Sequence, residues 1–186
     1  MTYRKKNIGF SLVEVLVTIV ILMIGLLGLA GLQGRALTSQ LESYQRSQAL
    51  VLLKDIADRI NANRKNAVNY LTLTPLGGGS ACPLSTSGTD IVAKDKEEWC
   101  KALNGAAEGS SAGAMIGARG CVYQITAPAT GVAAKYQVVV SWQGLNSSKA
   151  PDISTATAAG NCGNNSYGSE SLHRVVALPI SIADLL

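Results

Sequence analysis

The sequence predicts an α+β chain: a long N-terminal α-helix, half protruding and half amphipathic, packed on an antiparallel β-meander with long disulfide-bonded loops. Three observations predict it. Residues 8–32 are almost wholly apolar and run without a break into a helix-periodic stretch. Three β-like runs follow residue 119, and all four cysteines lie beyond the apolar segment.

The apolar run comes first. Between Asn7 and Gly34 the one charge is Glu14, just after the basic cluster Arg4-Lys5-Lys6 and the junction Gly9-Phe10. Insertion scales put an acid at mid-bilayer at a cost of about 2.5–3.5 kcal/mol, so Glu14 is either an accident or a device with a partner. Val15 to Leu32 is free of charge and would form about 27 Å of helix, enough to cross a bilayer with its flanks. The basic cluster before it places the N-terminus in the cytoplasm and Gln33 onward outside. A secretory signal peptide has a shorter apolar core and a small-x-small cleavage site. Here the helical pattern continues through Ala30-Gly31-Leu32, although hydropathy alone leaves an uncleaved anchor open.

Gly25, Gly28, Gly31 and Gly34 recur every three residues, each costing about 1 kcal/mol against Ala in a helix interior. Glycine is common in membrane helices; the sharper reading is close helix packing, with Ala30 and Gly34 as a small-xxx-small pair. Beyond them Leu37, Leu41, Tyr44, Ala49, Leu52, Ile56 and Ile60 fall on one predicted helical face, with charges between. No proline precedes Pro75. One helix is therefore expected from about Phe10 to about Asn66, about 85 Å long, with its apolar half needing lipid or similar helices around it.

Residues 71–118 read as irregular around a short helix from about Ala93 to Leu103. Asp95, Glu97 and Glu98 are expected in its first turn, with Trp99 and Leu103 inward. The runs 120–127, 135–143 and 172–182 are the expected strands. Tyr136, Val138, Val140 and Trp142 alternate in the second, and Pro179 demotes the end of the third to an edge or bulge. The short connection 128–134 makes the first two an antiparallel hairpin, and the third completes a meander that the helix covers on one side. In that meander Cys121, read as opening the first strand, and Cys162, in the loop after the second, meet at one edge. Cys82 and Cys100 flank a segment able to close on itself. The favoured pairing is thus Cys82–Cys100 and Cys121–Cys162, each contributing about 2–4 kcal/mol.

Composition and motifs exclude several classes. Net charge is +4, and the leader's three cations account for all but +1, so no nucleic-acid footprint remains. No CxxC occurs and His173 is the single histidine, which argues against zinc. No dinucleotide, phosphate-loop, nucleophile-elbow or zinc-protease motif is present. Ser80, Ser110 and Ser111 lie in loops with no histidine near in sequence. Neither enzymatic activity, nor a cofactor, nor a metal is expected.

The segment IGFSLVEVLVTIVIL resembles the class III signal and N-terminal helix of type IV prepilins and type II secretion pseudopilins: Gly before the cleavage point, Phe after it, and an acid four residues later. Residues 49–70, ALVLLKDIADRINANRKNAVNY, are similar to the PilV-like branch of minor pilins. Four cysteines, rather than two, also point to a minor subunit. The resemblance implies cleavage by a prepilin peptidase between Gly9 and Phe10, N-methylation of Phe10, and a part for Glu14 in subunit assembly. It implies as partners other minor pilins, the major pilin, the inner-membrane assembly platform and, before assembly, membrane lipid. The implied role is priming of pilus assembly near the tip from an inner-membrane precursor whose C-terminal part is periplasmic. A minor pseudopilin and an anchored tip adhesin are the alternatives. The expected divisions are 1–9 (cleaved leader), 10–36 (transmembrane and assembly helix), 37–70 (amphipathic helix half), 71–118 (loop region) and 119–186 (sheet and C-terminal loops).

Overall fold

The structure, a computed structural model, describes residues 9–85, 89–105 and 115–183. The basic leader Arg4–Lys6 and the loop serines Ser110 and Ser111 lie outside the described residues. The chain divides into two compact units, 1–41 and 42–186, with helix α1 (Leu12–Ala62) running through both.

Within the first unit every described residue is exposed except Thr38, which is half-buried. Within the second unit α1 buries Gln45, Ala49, Leu53, Ile56, Ala57 and Ile60. The expected stripe is therefore rotated. Ala49, Ile56 and Ile60 are inside and Leu52 is half-buried, whereas Tyr44 is exposed and Leu53 and Ala57 take inner positions. Leu37 and Leu41, in the first unit, are exposed as well. Hydrophobic identity alone could not separate Tyr44 from Leu53, because both lie close to the edge of a broad apolar arc.

The helix also stops earlier than Asn66. It ends at Ala62 and continues as a 3-10 segment, Arg64–Tyr70, kinked at Asn66. Asparagines crowd this stretch, and their side chains offer the backbone alternatives to a helix. Asn66 Nδ2 donates to Asn63 Oδ1 at 2.8 Å, and Asn63 Nδ2 donates to the Tyr70 hydroxyl at 3.3 Å.

Helix α2 (Ile91–Leu103) starts two residues before the expected Ala93 because Asp90 caps it, accepting the Ala93 N–H at 3.0 Å. Asp95, Glu97 and Glu98 thus lie past the first turn, where they make ion pairs instead. Arg59 of α1 bonds Asp95 at 2.9 Å and Glu98 at 2.6 Å, and Lys101 bonds Glu97 at 2.6 Å. Partial burial opposes the charge on Arg59, yet the bonds to Glu98, Asp95 and Asp55 hold its pKa above the usual arginine range. The Tyr70 hydroxyl donates to Asp95 at 2.5 Å, and burial followed by that bond raises the phenol to about 12.

The sheet has four antiparallel strands in sequential order: β1 (Leu76–Gly77), β2 (Ile116–Thr126), β3 (Ala134–Gln143) and β4 (His173–Ile182). β1 was not legible, since two residues in a Gly/Pro-rich stretch carry no period. β4 pairs with β3 without interruption and forms an edge, which accommodates Pro179 opposite Gln137. Tyr136, Val138, Val140 and Trp142 join Ile56, Ile60, Trp99 and Val122 in the main core. Trp99 packs closely against Gly120 of β2 and donates Nε1–H to the Leu52 carbonyl at 3.0 Å.

A second, smaller cluster gathers Cys121, Val139 and Cys162, with Tyr123, Ala159 and Val175 around it. Cys121 stands opposite Val139 in mid-strand, not at the start of β2. The two cysteines therefore meet over the sheet face rather than at its edge, and the long loop 144–172 folds back to cover that face. The disulfides are Cys82–Cys100 and Cys121–Cys162, with Cα separations of 5.6 and 5.8 Å.

Two stability measurements follow, both on the full chain in detergent. A Cβ on Gly120 would stand 2.3 Å from Trp99 Cη2 and 2.7 Å from Leu103 Cδ1. Gly120→Ala is expected to destabilise the second unit by about 1–3 kcal/mol, read from the denaturant midpoint of tryptophan fluorescence. The disulfides close spans of 18 and 41 residues. Loop-closure entropy then makes loss of the Cys121–Cys162 pair, by double serine substitution, about 0.7 kcal/mol more costly than loss of Cys82–Cys100. The reverse order of midpoints contradicts this account.

Candidate functional site

The candidate site is the start of α1. Gly9, Phe10 and Ser11 precede the helix in open backbone. The Ser11 carbonyl accepts Glu14 N–H at 3.0 Å and Val15 N–H at 3.3 Å, which opens the helical hydrogen-bond ladder. Gly9-Phe10 is thus an accessible peptide just before the helix, and Phe10 is 84% exposed. Glu14 falls in the first turn, where a carboxylate is favoured by the unpaired N–H groups and the helix dipole. Its side chain is exposed and forms no hydrogen bond or ion pair with the described residues.

The helix after it is long and apolar enough to cross a membrane. Its interior hydroxyls are satisfied within the helix: Thr18 Oγ1 donates to the Val15 carbonyl at 2.8 Å and Thr38 Oγ1 to the Gly34 carbonyl at 2.7 Å. This back-bonding, which the sequence reading did not single out, satisfies both hydroxyls within the helix, and Thr18 lies inside the membrane-length segment, where an unsatisfied polar group is costly. A Cβ built on Gly25, Gly28, Gly31 or Gly34 meets nothing within 4 Å, so packing within the chain does not require these glycines.

The second unit offers little chemistry. One cavity of about 400 Å³ lies between the Arg64–Tyr70 segment and the start of α2, lined by Asn63, Asn66, Asn69, Asp90 and Lys96 among others. The lining includes no histidine or cysteine. Burial lowers the pKa of Lys96, whose Nζ donates to the Leu71 carbonyl at 3.0 Å. No group of three or more metal-ligating side chains occurs among the described residues. His173 is fully buried beside Glu170, and Ser80 lies in the turn after β1.

Two family models match the chain. The prokaryotic N-terminal methylation motif matches residues 4–30, a span that includes Gly9, Phe10 and Glu14, and the type IV pilin Tt1218 family matches residues 31–76. No curated protein and no solved structure matches. Residues 4–76 therefore carry the methylation motif and the Tt1218-like domain of type IV pilins.

Proposed function

We propose that the chain is a minor pilin of the PilV-like branch, processed by a prepilin peptidase and incorporated with other minor pilins into a complex that primes type IV pilus assembly near the tip. The observation that carries the reading is the methylation motif across residues 4–30, joined without a break to a helix with no buried residue before Gln45. The type IV pilin match over residues 31–76 extends the support past the membrane-length segment. The minor-subunit assignment rests on the 49–70 block and the two disulfides, and it fits partners that include the major pilin and the inner-membrane assembly platform.

The chemistry proceeds from one hydrolysis. Cutting between Gly9 and Phe10 removes the basic leader and creates an α-ammonium at Phe10, which is then N-methylated. Glu14 is four residues away, in the first turn of the helix that Phe10 precedes. In lipid that ammonium and the helix dipole balance Glu14 within one chain. In the assembled fibre Glu14 pairs with the Phe10 ammonium of a neighbouring subunit, inside an apolar bundle where an unpaired charge is strongly disfavoured. Before assembly the N-terminus lies in the cytoplasm, the helix in the inner membrane and the rest in the periplasm.

Mass spectrometry of the protein from cells with a prepilin peptidase is expected to find N-methyl-Phe10 as the first residue; retention of Met1 defeats the proposal. Glu14→Ala is expected to be processed and membrane-inserted but missing from sheared fibres. Normal incorporation of Glu14→Ala would show that the intersubunit pair is dispensable.

A further inference from the structure

The loop from Cys162 to His173 lies over the second cluster and is tied down by contacts to both nitrogens of one buried histidine. His173 has no solvent-exposed side-chain surface. Its Nδ1 lies 2.8 Å from Glu170 Oε2, and its Nε2 lies 3.0 Å from the carbonyl oxygen of Cys162. A neutral imidazole has one N–H and one bare nitrogen. Beside a carboxylate and a carbonyl, either neutral tautomer points a lone pair at an oxygen, and the ring itself is fully buried although Glu170 is 30% exposed.

Glu170 reaches the ring with one oxygen and the backbone with the other: its Oε1 accepts the Asn165 N–H at 2.7 Å while Oε2 faces the imidazole. Asn165 holds a left-handed backbone at φ 57° to present that N–H. The Tyr167 ring centre is 5.0 Å from the imidazole, but its hydroxyl is engaged by Ser141 Oγ at 2.9 Å and the Gly117 carbonyl at 3.3 Å. Of the nearby cations, Arg119 of β2 lies 5.5 Å from the Tyr167 ring centre. Arg174 of β4 is bonded to the Ser171 and Asn146 carbonyls and faces Glu42. Neither is paired with Glu170, which leaves that carboxylate to the imidazole.

We infer that His173 is held as the doubly protonated imidazolium, ion-paired with Glu170 and donating to the Cys162 carbonyl, as a proton latch that fastens the disulfide-bearing loop to the start of β4. The latch joins three points of the fold. The Cys162 carbonyl belongs to the residue that the disulfide ties to β2, Glu170 opens the 3-10 turn before β4, and His173 is the first residue of β4.

His173 is the single histidine of the chain, so one imidazole accounts for the whole histidine spectrum. The test is long-range ¹H–¹⁵N NMR at neutral pH on the full chain in detergent micelles, labelled at histidine and purified without a histidine tag. Both ring nitrogens are expected in the protonated range, with the Nδ1 proton in contact with Glu170. One ring nitrogen in the bare range overturns the inference, including the case of a neutral imidazole beside a protonated Glu170. In Glu170→Gln the side-chain amide can donate to Nδ1, and the ring is expected to return to one bare nitrogen. Two protonated nitrogens in that variant would also overturn the latch, and should it fail to fold, the wild-type spectrum decides alone.

Discussion

Apolar side chains of the first unit have no partner within it. From Leu12 to Leu37 every side chain is exposed, among them Leu16, Ile21, Leu22, Leu27 and Leu32. Burying one such side chain is worth about 1.5–3 kcal/mol, so the unit cannot persist bare in water. Lipid or helices of the same kind must surround it. Other features of the segment read as consequences of that constraint. The hydroxyls of Thr18 and Thr38 bond back to the helix, glycines stand where packing within the chain requires none, and Glu14 sits in the first turn, where helix N–H groups favour a carboxylate.

The second unit solves the opposite problem, burying one face of the same helix with few aromatic side chains. Trp99 spans the gap from α2 to β2. Its ring needs the bare backbone of Gly120 beneath it, and its N–H reaches the Leu52 carbonyl of α1. Outside that contact, Arg59 joins α1 to Asp95 and Glu98 of α2, and Tyr70 adds its hydroxyl to the same Asp95. The helix, the 3-10 segment and α2 are thereby fixed to one another by three different chemistries. Since Arg59 and Glu98 are partly exposed, the ion pairs contribute less than the buried ring and serve more to set orientation.

Much of this was legible because the signals were periodic or linear. The long helix, the alternation of β3 and the inward Trp99 and Leu103 follow from spacing alone, and the junction Gly9-Phe10 with Glu14 is a motif read along the chain. What escaped depended on contacts distant in sequence. Nothing local marks Leu76–Gly77 as a strand, since its partners Arg119 and Gly120 lie more than forty residues away. Tyr44 and Leu53 exchanged places because the arc of α1 that meets the sheet is chosen by the sheet. Cys121 looked like the opening of a strand, whereas β2 begins at Ile116 and the loop carrying Cys162 returns over its face. The buried setting of His173 was invisible for the same reason, because Glu170, Cys162 and Tyr167 come together only when that loop closes.

A continuous helix is also the element best suited to change surroundings without refolding. Each backbone N–H beyond the first turn is bonded inside α1, so moving it from lipid to a bundle of helices breaks no backbone bond. Side chains that face hydrocarbon in one setting face hydrocarbon in the other, and the hydroxyls of Thr18 and Thr38 are already satisfied. The terms that change are the close contacts available to the glycines and the partner of Glu14. Glycines favour a bundle, where backbones approach more closely than lipid chains permit. Glu14 favours it still more if the bundle supplies a cation at the right height, and the proposed cleavage at Gly9-Phe10 would make one on every identical or similar helix. The acid that is costly in a lone membrane helix thus becomes a term that selects the assembled state in the proposed fibre, with register set by the four-residue step from the ammonium to the carboxylate.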